Sequence, residues 1–144
     1  MEYQVIMDRA AAYIKEVVNE LVEEYWEAYY WRRGECQREG EVFDWSAGCR
    51  VRETDAGGTL EWFVMVPRGK GKKAHFRYIT VYHKGTNRET SEFSRLTRKE
   101  KRLIRSIHAR AKEAQEIAGK IDNINQRIRW LESTVDRKLK ERGK

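Results

Sequence analysis

The sequence predicts an α+β domain made of an N-terminal helix, a three-stranded antiparallel β-meander and a long C-terminal helix. Three observations predict this order. Apolar residues recur at helical spacing in the first 31 residues, they alternate with polar residues in the middle of the chain, and helical spacing returns after residue 97. A short meander buries only one face, so the helices are expected to cover that face.

Residues 3–31 are expected to form the first helix. Its apolar residues recur every three or four positions and alternate with glutamates, which is typical of an amphipathic helix. Gly34 is the expected stop signal. The C-terminal end of this segment, Tyr25–Trp31, is rich in aromatic residues. These rings are expected to close one end of the core, and a platform for base stacking is the alternative.

Three strands are expected between residues 49 and 83. Cys49 and Val51 alternate with arginines, and the turn residues at 55–58 follow them. The second strand runs from Leu60 to Val66 and is ended by Pro67. The third is predicted over His75–His83, and a further short strand or extended arm is possible at Val42–Trp45.

The second long helix is predicted to begin at a capping box formed by Thr97 and Glu100. It could lie antiparallel to the acidic first helix. Apolar residues farther along follow heptad spacing, which is typical of a helix that packs on a partner. These stripe residues are Ile117, Ile121, Ile124, Ile128, Leu131 and Val135. The helix spans roughly 60 Å if unbroken, and Gly119 could bend or break it.

The domain organisation predicted from these elements is a core with a basic surface at residues 1–112, followed by the distal part of the helix at residues 113–144. This distal part would serve packing or oligomerisation. The chain carries no apolar run long enough to span a membrane, and its first residues do not resemble a signal peptide. Cys36 and Cys49 are too few for a disulfide scaffold, so reduced thiols in the cytoplasm are expected.

Charge is concentrated in one part of the chain. Residues 67–112 contain 15 of the 30 lysines and arginines but only three acidic residues, which gives a net charge of +12 in a chain of net charge +7. Such a field attracts polyanions, and contacts to phosphates release condensed counterions. Nucleic acid is therefore the expected partner, although phosphate contacts alone carry no sequence specificity.

The segment that connects the second and third strands is the sharpest local feature. Glycines let a backbone approach a phosphate closely, and cations surround them here. The cations of this loop are Arg68, Lys70, Lys72 and Lys73. We expect them to contact nucleic acid, and replacing the three lysines should flatten the salt dependence of binding. A flexible hairpin tip that serves solubility is the alternative.

Further cations are expected to extend the same footprint. On the sheet side, Arg77 and Lys84 would contact phosphates. Around the start of the long helix, a second cluster consists of Arg95, Arg98, Lys99, Lys101, Arg102 and Arg105. Cations at a helix N-terminus oppose the macrodipole, which suggests another purpose for them. A solvated helix face that pairs with the acidic first helix is the alternative.

The third strand could also present bases with a stacking surface made of Arg77, Tyr78 and Tyr82. Aromatic residues on one face of a strand are more often part of the core, so a core role is the preferred expectation. His75 and His83 lie roughly 26 Å apart on an extended strand, too far to share a metal ion. No catalytic motif occurs, and the chain is expected to be non-enzymatic, without metal or cofactor.

Several short motifs resemble the MobI mobilisation proteins of integrative conjugative elements and large conjugative plasmids. The resemblance covers roughly residues 15–131. It consists of Tyr25-Trp26-Glu27, Leu60-Glu61-Trp62-Phe63, the basic loop, His83-Lys84-Gly85, Phe93-Ser94-Arg95-Leu96 and the charged terminal helix. Such a resemblance implies an auxiliary protein that acts at an origin of transfer together with a separate relaxase.

The expected function is therefore non-enzymatic binding of DNA, most simply duplex DNA, in conjugative transfer. An interaction protein that uses the stripe on the terminal helix, as a homodimer or with another partner, is an alternative from a different class. RNA binding without sequence preference fits the charge equally well.

Overall fold

The computed structural model describes residues 2–66, 71 and 75–143 of the chain. It contains α1 (Glu2–Glu39), β1 (Ala47–Arg52), β2 (Thr59–Val66), β3 (His75–Ile79), the short α2 (Ser91–Ser94) and α3 (Arg98–Arg142). The strands form one antiparallel sheet in the order β1-β2-β3. The predicted α+β class, with one helix, a meander and a long second helix, is confirmed.

Helix α1 is longer than predicted because it continues through Gly34. It ends at Gly40, whose φ of 68° lies in the left-handed region. The Glu41 amide donates to the Cys36 carbonyl over 2.9 Å, which closes the helix as in a Schellman motif. The expected stop at Gly34 is therefore wrong. A glycine inside a helix costs about 1 kcal/mol, and the buried Cys36 just beyond it helps to hold the last turns.

The pairing between strands determines which residues share a face of the sheet. Cys49 pairs with Trp62, and Trp62 pairs with Ile79 on the other side. The predicted turn between β1 and β2 is present, with Gly57 at φ 115° and its amide bonded to the Thr54 carbonyl. Strand β3 ends at Ile79, four residues before the predicted end. Residues 41–46 contain no strand, so the possible strand at Val42–Trp45 does not form.

The two long helices cover one face of the sheet, here called the inner face. Trp62 is 3% exposed on it, and Ile79 and the following Val81 are also buried. Side chains on a strand alternate between faces, so Tyr78 lies on the opposite, outer face together with its cross-strand partner Phe63. Phe76 and Tyr78 are exposed. The expectation that the aromatic side of the third strand belongs to the core is wrong for both residues.

Helix α3 runs without interruption through Gly119, so the possible break there does not occur. Its 45 residues correspond to about 67 Å. Arg110 pairs with Glu24, whereas the start of α3 lies beside residues 28–35 of α1, so the two helices are antiparallel as expected. Buried residues on α3 end at Ile121. Neither long helix has an apolar stretch that could cross a membrane within its described residues.

The start of α3 is joined to the start of β1 by Glu100, which is completely buried. The predicted capping box is present, since Thr97 and Glu100 exchange hydrogen bonds. The other carboxylate oxygen of Glu100 accepts the Ser46 and Ala47 amides, each over 3.0 Å. A buried carboxylate is tolerated when donors satisfy it in this way. Glu100 therefore fixes the basic N-terminal end of α3 against the sheet.

Two aromatic side chains of α1 bond to the same strand. The Tyr25 hydroxyl donates to the Ala47 carbonyl over 2.5 Å, and the Trp26 indole donates to the Cys49 carbonyl over 3.0 Å. Burial raises the pKa of Tyr25 well above its usual range, so the phenol stays protonated and remains a donor. Tyr25 and Tyr29 are buried and close the core as expected, whereas Tyr30 and Trp31 are exposed.

Candidate nucleic-acid interface

The cations predicted around the start of α3 fall into two groups in the structure. Within the described residues, four of them have no ion-pair partner and extend into solvent. These four are Arg95, Arg98, Lys99 and Arg102. The Thr97 capping box and Glu100 hold this end of the helix rigidly, so these side chains project from a fixed backbone. They can contact a polyanion without first breaking an ion pair.

The remaining two cations of this cluster are engaged inside the molecule. Arg105 donates to both carboxylate oxygens of Glu89, over 2.6 and 3.0 Å, and its guanidinium lies 5.4 Å from the Phe93 ring centre. The hydrogen bond from Arg105 lowers the pKa of Glu89. Lys101 donates to the Ser94 carbonyl over 3.3 Å. Both residues connect α3 to the segment around α2. Their positive charges therefore interact with groups of the protein itself and are less available to a polyanion.

Lys99 and Arg102 also line a cleft of about 470 Å³ between the two long helices. Trp31, 63% exposed, lies on the opposite wall with Arg32. Arg32 is itself bonded to Glu35 and Glu41. The expected pairing of the basic cluster with the acidic first helix is thus limited. Among the described residues, the bidentate ion pair between α1 and α3 joins Arg110 to Glu24, and Arg110 is not part of the cluster.

Two of the predicted sheet-side cations, Arg77 and Lys84, lie on β3 and in the turn that follows it. Arg77 lies on the same side of β3 as Ile79, away from Tyr78, and its guanidinium is 3.6 Å from the Glu92 carboxylate. Lys84 is exposed in the turn after β3. The four loop cations, Arg68, Lys70, Lys72 and Lys73, lie outside the described residues.

The proposed stacking surface of Arg77, Tyr78 and Tyr82 is wrong in its composition. Alternation along the strand puts Arg77 and Tyr78 on opposite faces. Tyr82 is half-buried and packs edge-on against His108 with ring centres 5.5 Å apart. Tyr78 is the one member of this set that lies exposed on the outer face.

Other residues, which the sequence pattern did not indicate as part of a site, complete the outer face around Tyr78. The Arg50 guanidinium lies 5.0 Å from the Tyr78 ring centre, and Phe63 meets Phe76 edge-on at 4.9 Å. Arg50 and Arg52 both pair with Glu61. Their alternation with Cys49 and Val51 was the available signal, but only the strand register shows that they share a face with the aromatic rings.

A cavity of about 730 Å³ lies between the turn after β3 and α3. Trp62 forms part of its wall, and the Trp62 indole nitrogen is buried without a hydrogen-bond partner among the described residues. His108, Lys84 and Lys112 also line the cavity. Burial, together with the nearby charge of Lys112, lowers the pKa of His108, so its ring is held neutral.

The stripe predicted for a partner helix is exposed over most of its length. Ile121 is buried against the core, but Ile117, Ile124, Leu131 and Val135 are between 37% and 55% exposed, and Ile128 is half-buried. Among the residues of α3, the last buried one is Ile121. An apolar stripe of this length on a protruding helix is a typical surface for another helix.

The two cysteines are buried and not paired with each other. Burial raises the pKa of the Cys49 thiol to about 12. Across residues 2–66, 71 and 75–143, no three His, Cys, Asp or Glu side chains are grouped as metal ligands would be.

Comparison with known proteins adds no family to this geometry. No family model matches the chain, and no curated protein and no solved structure matches it either.

Proposed function

We propose that this protein binds DNA without enzymatic activity, as a cytoplasmic accessory protein that acts at an origin of transfer beside a separate relaxase. The observation that carries the binding proposal is the group of Arg95, Arg98, Lys99 and Arg102, four exposed cations without ion-pair partners among the described residues. The role in conjugative transfer is supported by the resemblance of the sequence to the MobI proteins.

Phosphate binding by these residues follows from simple electrostatics. Each cation that neutralises a phosphate releases condensed counterions, and binding then weakens as salt is added. The backbone of the cluster is held because Glu100 and Thr97 fix the helix start. A fixed backbone loses less backbone entropy when its side chains bind than a flexible tail would. The four loop cations would extend the same footprint beyond the described residues.

The test is a salt titration with a labelled duplex, using the triple variant Arg98→Ala/Lys99→Ala/Arg102→Ala. The slope of log affinity against log salt should become shallower by about 2 to 3, since about 0.9 counterions are released per phosphate contact. The control is Arg127→Ala/Arg129→Ala/Arg137→Ala, which removes the same charge from the exposed distal part of the same helix. Equal slopes in the two triple variants would contradict the proposal.

A second candidate function is supported by the exposed stripe on the distal half of α3. In this candidate, the stripe pairs with the same stripe of a second copy, because the steps of four and three residues suit a two-stranded coiled coil. Light scattering over a range of concentrations tests it. Ile124→Ser/Leu131→Ser should convert a dimer to a monomer, whereas a wild-type protein that stays monomeric at every concentration would exclude this candidate.

A further inference from the structure

The outer face of the sheet is an exposed aromatic surface opposite the helices. Phe76 and Tyr78 are 60% and 53% exposed, and Phe63 lies next to both of them on the neighbouring strand. Single exposed rings are ordinary on protein surfaces, but neighbouring rings form a patch. In the described part of the molecule, α1 and α3 pack on the inner face, so these rings stay accessible.

The backbone at Gly48 extends this aromatic surface across the sheet. Gly48 pairs with Phe63, and a Cβ at this position would lie 2.6 Å from the Phe63 ring and 2.8 Å from the Trp26 ring. The absence of a side chain therefore allows Phe63 to lie across β1. Ring centres follow one another from Phe76 to Phe63 over 4.9 Å and from Phe63 to Trp26 over 6.4 Å.

Cations accompany the rings on this face. The Arg50 guanidinium stacks near Tyr78 at 5.0 Å, and Arg52 is 70% exposed at its side chain. Glu61 offsets one of these two charges.

Exposed aromatic rings with arginines beside them are better suited to unpaired bases than to a duplex. Bases stack on exposed aromatic side chains and on arginine planes, and a positively charged border follows the phosphates. In a duplex the faces of the bases are covered by their neighbours, so exposed rings gain little there. A protein partner would suit a continuous apolar patch, but arginines border this one.

We propose that the outer face of the sheet binds single-stranded DNA, with bases stacked on Phe76 and Tyr78 and phosphates near Arg50 and Arg52. This proposal rests on the proposed DNA-binding function and adds a second site to it. The helix cluster contacts duplex phosphates, and the sheet holds a strand that has left the duplex. The two sites would suit DNA in which the strands are being separated.

The experiment measures fluorescence anisotropy of a labelled 15-nucleotide dT strand and of a labelled duplex, each with wild-type protein and with Phe76→Ala/Tyr78→Ala. We expect the double variant to bind the single strand about 30-fold more weakly and the duplex less than twofold more weakly. The variant Phe76→Tyr/Tyr78→Phe keeps both rings and should bind the single strand as the wild type does. Trp130→Ala removes a ring of similar exposure from the distal helix and should change neither affinity.

The outcomes separate the two proposals. If the wild type binds the duplex but not the dT strand, the proposal for the sheet is overturned, whereas the proposal that the cations at the start of α3 bind duplex DNA still stands. Binding of neither strand overturns the proposed function itself. An equal loss of both affinities in the alanine variant would contradict stacking of unpaired bases, and tenfold tighter binding of a 15-nucleotide rU strand would assign the surface to RNA.

Discussion

Trp62 and Phe63 are neighbours on β2, but their surroundings differ completely. Trp62 is 3% exposed beneath the two long helices and meets the Tyr25 ring edge-on at 5.3 Å. Phe63 lies on the outer face, where the adjacent Phe76 is 60% exposed. Both faces of the sheet carry large rings, so composition alone does not separate them. The difference teaches that coverage by helices, and not hydrophobicity, divides the stabilising face from the face available for binding.

The largest expected effect comes from removing a ring on the covered face. Trp62→Ala should lower the free energy of unfolding by about 4 kcal/mol, because it leaves a cavity in a packed core. Phe76→Ala on the uncovered face should change it by no more than about 0.5 kcal/mol. Urea unfolding followed by circular dichroism measures both. Equal losses in the two variants would show that the outer face is covered in solution.

The next largest effect is expected where the helix cluster is fixed to the sheet. Glu100→Ala leaves the amides of the half-buried Ser46 and the buried Ala47 without their acceptor, and we expect a loss of about 3 kcal/mol. Glu100→Gln keeps one acceptor oxygen and should lose less. Glu113→Ala, at an exposed position of the same helix, is the control in urea unfolding. A wild-type midpoint for Glu100→Ala would contradict this role.

A smaller effect is expected at Gly48, where the Phe63 and Trp26 rings approach the backbone. Gly48→Ala places a methyl group against the Phe63 and Trp26 rings and should cost about 1 kcal/mol as the rings move aside. In a Phe63→Ala background the same substitution should cost less, since one of the two rings is gone. A double-mutant cycle by urea unfolding measures this coupling, and strict additivity would show that Phe63 does not lie over Gly48.

The smallest effect concerns pH and the half-buried His108. Its pKa is lowered in the folded state, so the unfolded chain takes up a proton first as pH falls below about 6.5. The contribution of His108 is therefore complete above that pH and is lost as pH falls. We expect the urea midpoint of the wild type to fall more between pH 7.5 and pH 5 than that of His108→Phe.

Glu24 and Glu89, whose pKa values are lowered, titrate outside the range of that pH experiment. The lowered pKa values of Glu24 and Glu89 lie below the usual carboxyl range, so their contributions are lost only under more acidic conditions. Identical pH profiles for the wild type and His108→Phe would contradict the assigned role of His108.

Local signals in the sequence were sufficient for the order of elements. The capping box at Thr97 and Glu100, the turn at residues 55–58 and the helical periodicities each depend on residues close together in the chain. The end of α1 was not predictable in this way, because Gly34 and Gly40 are both possible stops. Gly40 ends the helix because its left-handed backbone lets the Glu41 amide reach Cys36.

The candidate site was predictable only in part. Charge clustering along the chain was enough to select the exposed Arg98, Lys99 and Arg102. It could not show that Arg105 is held by Glu89, because that contact needs the folded segment around α2. The exposed side of β3 was also misassigned, since both sides of that strand carry apolar residues and only pairing with β2 decides which side the helices cover.

The side chains that contact β1 have a consequence for how copies of this protein can associate. An edge strand with free amides and carbonyls invites another strand to pair with it, which is a route to aggregation. Here the Ala47 and Cys49 carbonyls already accept hydrogen bonds from Tyr25 and Trp26, and the Ala47 amide already donates to Glu100. A second sheet would have to displace all three side chains to grow from this end of β1. The first half of this edge strand is thus protected against strand addition by the same helices that cover the inner face of the sheet.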